Sequence, residues 1–180
     1  MTNTAFRSIT TYPDRVDGTA VITRLIDGLG YRFFWATEGL READYHYCPG
    51  NDCKSIAELI KHIWGLINWI HLSLTRHGYN KDRPADISAE RDHVLYLLQE
   101  LREYFYQLED AKLDFIKIEN LPFWHIINGP LSDALTHVGQ INSIRRLAGN
   151  PTNPCFVFTL QDPEVSNRKK RTTKLNDWDE

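Results

Sequence analysis

Hydrophobic positions recur every three to four residues in four separate stretches of the chain, and polar segments rich in Gly and Pro part them. The first stretch carries Ile22, Leu25, Ile26, Leu29, Phe33, Ala36 and Leu40, and predicts a helix over residues 19–41 with Thr19 as its N-cap. Gly28 and Gly30 lower the helix propensity there, and their missing side chains let a neighbour approach closely. Ser55-Ile-Ala-Glu58 is a capping box, in which serine and glutamate each satisfy a backbone amide of the other. Ile56, Leu59, Ile60, Ile63, Leu66, Ile67, Ile70 and Leu74 form the apolar stripe of the second helix behind it. A third helix starts near Ser88 and shows Val94, Leu97, Leu98, Leu101, Tyr104, Phe105 and Leu108 in near-heptad spacing. The fourth covers residues 130–148. Gly129-Pro130 predicts its start and Gly149-Asn150-Pro151 its stop, and Leu131, Ala134, Leu135, Val138, Ile141, Ile144 and Ala148 form one apolar face.

The connections are uneven in length. Residues 43–54 read as a loop centred on Cys48-Pro-Gly-Asn-Asp-Cys53, and residues 76–87 as a polar link with Gly78 and Pro84. Residues 109–128 are long and partly apolar, with Leu121-Pro-Phe-Trp-His125, so they should hold structure of their own or line a site. Residues 154–160 predict an extended segment packed back on the helices. Four amphipathic helices without a strand alternation predict an all-α four-helix bundle with long crossover connections and a short extended C-terminal segment. Its divisions are an N-terminal surface segment over 1–18, the bundle over 19–160, and a polar tail over 161–180.

Two polar residues break the apolar face of the fourth helix. His137 falls between Ile141 and Ile144, and Asp133 sits one turn earlier on the same side. His62 occupies the flank of the second helix, beside Leu59, Leu66 and Trp69. Two imidazoles and a carboxylate are donors suited to zinc, nickel or iron, with positions left for water or substrate. The competing account is a core histidine hydrogen-bonded to a neighbour, with Asp133 merely favouring its helix N-terminus through the dipole.

Other constellations are weaker. There is no His-Glu-x-x-His and no Gly-rich phosphate loop. Glu90-Arg-Asp-His93 is a single Glu-x-x-His in a polar first turn, which favours solvent exposure. His71 and His77 flank the end of the second helix as rim residues, and His125 belongs either to a pocket mouth or to packing. Cys48 and Cys53 could oxidise or bind metal, but without a second pair an ordinary surface loop is the simpler reading.

Composition narrows the rest. A net charge of -3 offers no bulk attraction for nucleic acid, and Arg168-Lys-Lys-Arg171 reads as a solvated tail because acidic residues follow it. Five Trp, eight Tyr and eight Phe point to an aromatic-rich core or pocket. Three cysteines, with Cys155 the third, fit a reduced cytoplasmic setting. No stretch predicts a secretory signal or a membrane span.

The stretch Ser55-Ile-Ala-Glu-Leu-Ile-Lys-His62 resembles the second-helix motif of the DinB-like family, which ends in a metal histidine. Residues 133–151, Asp-Ala-Leu-Thr-His-Val-Gly-Gln onward, resemble its fourth-helix region, and Pro49-Gly50 ahead of Ser55 fits too. The resemblance covers residues 19–151. It implies a metal-binding four-helix bundle, often a homodimer, with a divalent ion held by three histidines. Relatives include transferases and isomerases that use low-molecular-weight thiols. His62 and His137 match two ligand positions, and Asp133 stands where the family has histidine, giving a two-histidine, one-carboxylate set. The expected function is metal-dependent transfer or hydrolysis on a small molecule, with no nucleic-acid or membrane partner. The rival is a non-catalytic bundle with a degenerate or empty metal site, serving as a dimerising or small-ligand-binding module.

Overall fold

Asp17 starts the first long helix, α1 (Gly18–Thr37), by accepting the Ala20 amide and the Thr19 hydroxyl, each at 2.9 Å. The cap is thus two residues earlier than the expected Thr19, whose own amide donates to Asp110 at 3.1 Å. The computed structural model describes residues 4–9, 11–75, 84–153 and 157–162, and their regular structure is overwhelmingly helical. The readings placed on His77, Gly78, Cys155, the start of the 154–160 segment and Arg168–Arg171 lie outside the described residues.

α1 ends at Thr37 rather than at residue 41, and a five-residue helix, α2 (Glu42–His46), replaces the first part of the expected loop. Gly39 adopts φ +69, a left-handed conformation that glycine enters without a Cβ clash, and this turns the chain out of α1. Asp44 then accepts the Arg41 amide and starts α2. The apolar spacing runs on through Leu40, so periodicity alone overran the break.

The second and third long helices match their patterns closely. α3 (Ile56–Thr75) opens on the capping box, with Ser55 donating its amide to Glu58 at 2.8 Å and accepting the Glu58 amide at 3.3 Å. α4 (Ile87–Gln107) is capped by Asp86, which accepts the Ala89 amide at 2.8 Å. Its polar first turn is not solvent-facing as expected: Glu90 and Arg91 are buried. The Arg91 guanidinium donates to the Thr37 hydroxyl at 2.9 Å and to Glu38 at 2.7 Å, so it ties α4 to the end of α1.

Residues 109–128 do hold structure of their own. A 3-10 turn (Asp110–Phe115) leads into a two-strand antiparallel hairpin, β1 (Lys117–Ile118) and β2 (Leu121–Pro122). Glu119 and Asn120 both take positive φ, as a two-residue hairpin turn requires. The helical path then begins at Trp124, six residues ahead of the expected start. It runs through a short turn, α5 (Trp124–Ile126), a π-helical turn (Ile127–Leu131) and α6 (Ser132–Leu147). Pro130 is therefore inside the helical path and not its first residue. Around it the turn is closed by Ser132, whose amide and hydroxyl both reach back to the Ile127 carbonyl, the latter at 2.6 Å.

α1 and α3 each pack against both α4 and α6. Ile26 and Phe33, Ile60, Ile63 and Ile67, Leu98 and Leu101, and Val138 and Ile141 fill the space between them. Burying one such side chain contributes about 1.5–3 kcal/mol. The segment before α1 is more than a surface strap, since Phe6 and Ile9 are buried. Phe6 lies against Gly30, where an added Cβ would come within 2.4 Å of its ring, so this glycine does admit a close neighbour. Residues 157–160 form a turn instead of an extended strand, and the Ile9 amide donates to the Leu160 carbonyl at 2.8 Å. Among the described residues, no helix is long and apolar enough to cross a membrane.

Candidate metal centre

The π turn sets the phase of α6. One extra residue in a turn rotates everything after it by about 100° relative to an unbroken α-helix. That phase presents Asp133 and His137, four residues apart, to α3 at the level of His62. The three side chains meet. His62 Nε2 lies 3.1 Å from Asp133 Oδ2, and His137 Nε2 lies 3.3 Å from Asp133 Oδ1. The two imidazole rings are edge to face, with centroids 4.7 Å apart.

Three donors bound at roughly 2.0–2.2 Å to one ion at tetrahedral angles lie about 3.4 Å apart. The two short separations run to different oxygens of Asp133; with one ligand atom taken from each residue, the three all fall within 4.8 Å of one another. The cluster can therefore hold a metal ion. The His137 ring is also held in place. His137 Nδ1 stands 2.8 Å from Gln140 Oε1, and with the amide in this orientation Nδ1 must be the protonated nitrogen. Nε2 of the neutral ring then carries a lone pair aimed at a carboxylate oxygen. Two acceptors facing each other at 3.3 Å need a cation or a shared proton between them. A ligating histidine that donates its other N–H to an oxygen has this arrangement.

The sequence pattern predicts Asp133 and His137 on an apolar face, yet the cluster does not point into a closed core. The His137 side chain is 12% exposed, whereas His62 and Asp133 are 40% and 45% exposed. Two cavities flank the cluster. The larger, about 780 Å³, has Cys53, Lys54 and Leu59 on one wall and His137, Gln140 and Ser143 on the other. The second, about 490 Å³, is lined by His62, Glu58, Lys61 and Trp64. Lys54 borders both. Glu58 closes its own capping box, and the Ser55 amide and hydroxyl hold its carboxyl below the usual carboxylate range.

The walls come from α3, α6 and the loop before α3, not from residues 109–128. That connection is fastened elsewhere, with Trp69 Nε1 donating to Glu119 at 3.1 Å. His125 and Trp124 are exposed and line neither cavity. His93 is half-buried behind Trp64: it accepts the indole N–H at Nδ1 over 3.0 Å and stacks on Tyr96, and burial lowers its pKa. Cys48 and Cys53 are joined as a disulfide with Cα atoms 6.0 Å apart, so the pair is oxidised, while the loop it closes lies on the surface with residues 48–52 exposed.

Gln140, Lys54 and Trp64 line the flanking cavities, and spacing did not single them out. Gln140 stood three positions after His137, a helical neighbour distance that would have flagged it. Lys54 and Trp64 gave no such signal. Comparison of the chain with known protein families, with curated proteins and with solved structures finds no match in any of the three.

Proposed function

We propose that the chain is a DinB-like four-helix bundle whose His62, Asp133 and His137 hold a divalent ion, zinc, nickel or iron, for transfer or hydrolysis on a small molecule. The observation that carries this reading is the meeting of three donors from two helices within 4.8 Å of one another, with one imidazole already oriented by Gln140. The ion supplies Lewis acidity, which polarises a substrate or eases loss of a proton from water or a thiol. The chain's own residues do the rest. Gln140 fixes the His137 ring by accepting from Nδ1, and keeps Nε2 free to ligate. Leu59 and Ile144 supply apolar wall that limits water in the larger cavity, and Lys54 places a cation where an anionic group of a substrate would sit.

A second reading has its own support. Asp133 spans both imidazoles through its two oxygens, so the cluster can satisfy itself with protons. The protein would then be a non-catalytic, dimerising or small-ligand-binding module. Metal analysis after loading and desalting separates the two. The first expects about one equivalent of ion per chain, lost in His62→Ala and His137→Ala. Less than roughly a tenth of an equivalent, or uptake indifferent to both changes, would leave only the second.

A further inference from the structure

Cys48 and Cys53 close a six-residue loop, Cys48-Pro-Gly-Asn-Asp-Cys53, that ends two residues before Ser55 and the start of α3. The two cysteines differ in their surroundings. Cys48 is exposed, whereas Cys53 is half-buried and forms part of the wall opposite His137 and Gln140 in the 780 Å³ cavity. Exposed disulfides are the more labile ones, and exchange rates depend on which sulfur an incoming thiolate can reach.

We infer that this loop is a thiol–disulfide exchange site for a low-molecular-weight monothiol, with Cys48 receiving the thiol and Cys53 leaving as a thiolate into the cavity beside the candidate metal centre. The exchange balances without a further oxidant. The thiolate RS⁻ attacks Cys48 Sγ, the Cys48–Cys53 bond breaks, an RS–Cys48 bond forms, and the electron pair leaves on Cys53 Sγ. A second RS⁻ attacks the sulfur of the captured thiol, which releases RSSR and the Cys48 thiolate, and both cysteines then take protons from solvent. Attack from outside is directed to Cys48 because it is the more exposed of the two cysteines. Pro49 and Gly50, which follow it in the loop, are both exposed, and the Gly50 carbonyl lies 3.0 Å from Cys48 Sγ.

The exchange does not depend on bound metal, so it is tested on the chelator-treated full chain, and a failure of the metal reading leaves it untouched. A Cys155→Ser background keeps the count to the loop pair. The oxidised protein is incubated with millimolar reduced glutathione near neutral pH, quenched in acid, alkylated and mapped by peptide mass spectrometry. The expected result is loss of the loop disulfide, passing through a species heavier by one glutathione on Cys48. Cys53→Ser and Cys48→Ser are each treated with oxidised glutathione, and the first should take up the adduct faster than the second. A disulfide that survives the reduced thiol would make the loop a structural staple and overturn the proposal. So would cysteines that never pair on oxidation, or an adduct that forms at least as fast on Cys53.

Discussion

Two of the polar clusters among the described residues are built on opposite principles. At the end of α1, Arg145 from α6 lies buried at 3% exposure and donates to the Ala36 carbonyl at 2.9 Å, the Glu38 carbonyl at 2.8 Å and the Asn150 carbonyl at 2.9 Å. Nearby, Asp44 accepts from the Arg41 guanidinium, the Arg41 amide and the Asn150 amide group. Acceptors there meet donors, and the group closes on itself. At the other cluster, His62, Asp133 and His137 meet within 4.8 Å, and the two histidines each border a cavity. A buried polar group that is fully paired holds helices together, because leaving any member unpaired costs its desolvation. A half-open group that borders cavities is instead within reach of water and of anything that enters.

The largest effect that tests this contrast is Arg145→Ala. It strips the last carbonyls of α1 of their buried donor, where each unpaired group costs about 1–3 kcal/mol, so the chain should lose roughly 3 kcal/mol or more of stability. Urea unfolding followed by circular dichroism measures it. If the midpoint hardly moves, the closed cluster is not what fastens α1 to α6. His137→Ala should by contrast change the stability of the metal-free protein much less, since removing a half-open cluster member leaves its neighbours in reach of water.

Gln140 gives a middle-sized effect, read in affinity and not in folding. Partners that orient a ligating histidine typically contribute about 10–100-fold to metal affinity. Gln140→Ala should therefore weaken binding by at least about tenfold in a competitive zinc titration, with stability almost unchanged. Gln140→Glu keeps an acceptor for the His137 N–H and should retain most of the affinity. Equal losses in both variants would mean that Gln140 acts by packing or charge and not by holding the ring.

These contrasts also show which parts of the structure can be read from residue order. The stripes of α3 and α4 and the Ser55–Glu58 capping box were legible because apolar spacing and cap chemistry act within a few residues. The end of α1 was not, because Leu40 continues the stripe while the break is made by Gly39 and by Arg145, more than 100 residues away. Nor was the start of the last helical run: Gly129-Pro130 carries the marks of a helix start, but Ser132 supports a π turn around it. His62, Asp133 and His137 could be named as donors, whereas their meeting depends on the phase that this turn gives to α6. The wall made by Cys53 and Lys54 depends on how the loop folds over α6, which no local pattern encodes.

Asp44 and Asp133 bring the comparison down to one chemical group in two settings. Hydrogen bonds from the Arg41 side chain, then from its backbone amide and from Asn150, hold the Asp44 carboxyl far below the usual carboxylate range. A depressed folded pKa means that the stabilisation is fully present above the unfolded value of about 3.9 and is lost as pH falls toward the folded one. Asp44→Asn should cost about 1 kcal/mol at neutral pH, kept modest because the Arg41 side chain is largely exposed, and the gap to the unaltered protein should narrow in acid. Asp133→Asn should change the metal-free protein by less than roughly 0.5 kcal/mol, since its imidazole partners can turn to water. Adding zinc should restore a difference, because bound ligand raises the stability only of the chain that holds it. Thermal melts of the two variants with and without zinc test the pair. An Asp133→Asn variant that falls as far as Asp44→Asn without metal would place both aspartates in the fastening class, and the half-open cluster would lose its claim to be a site.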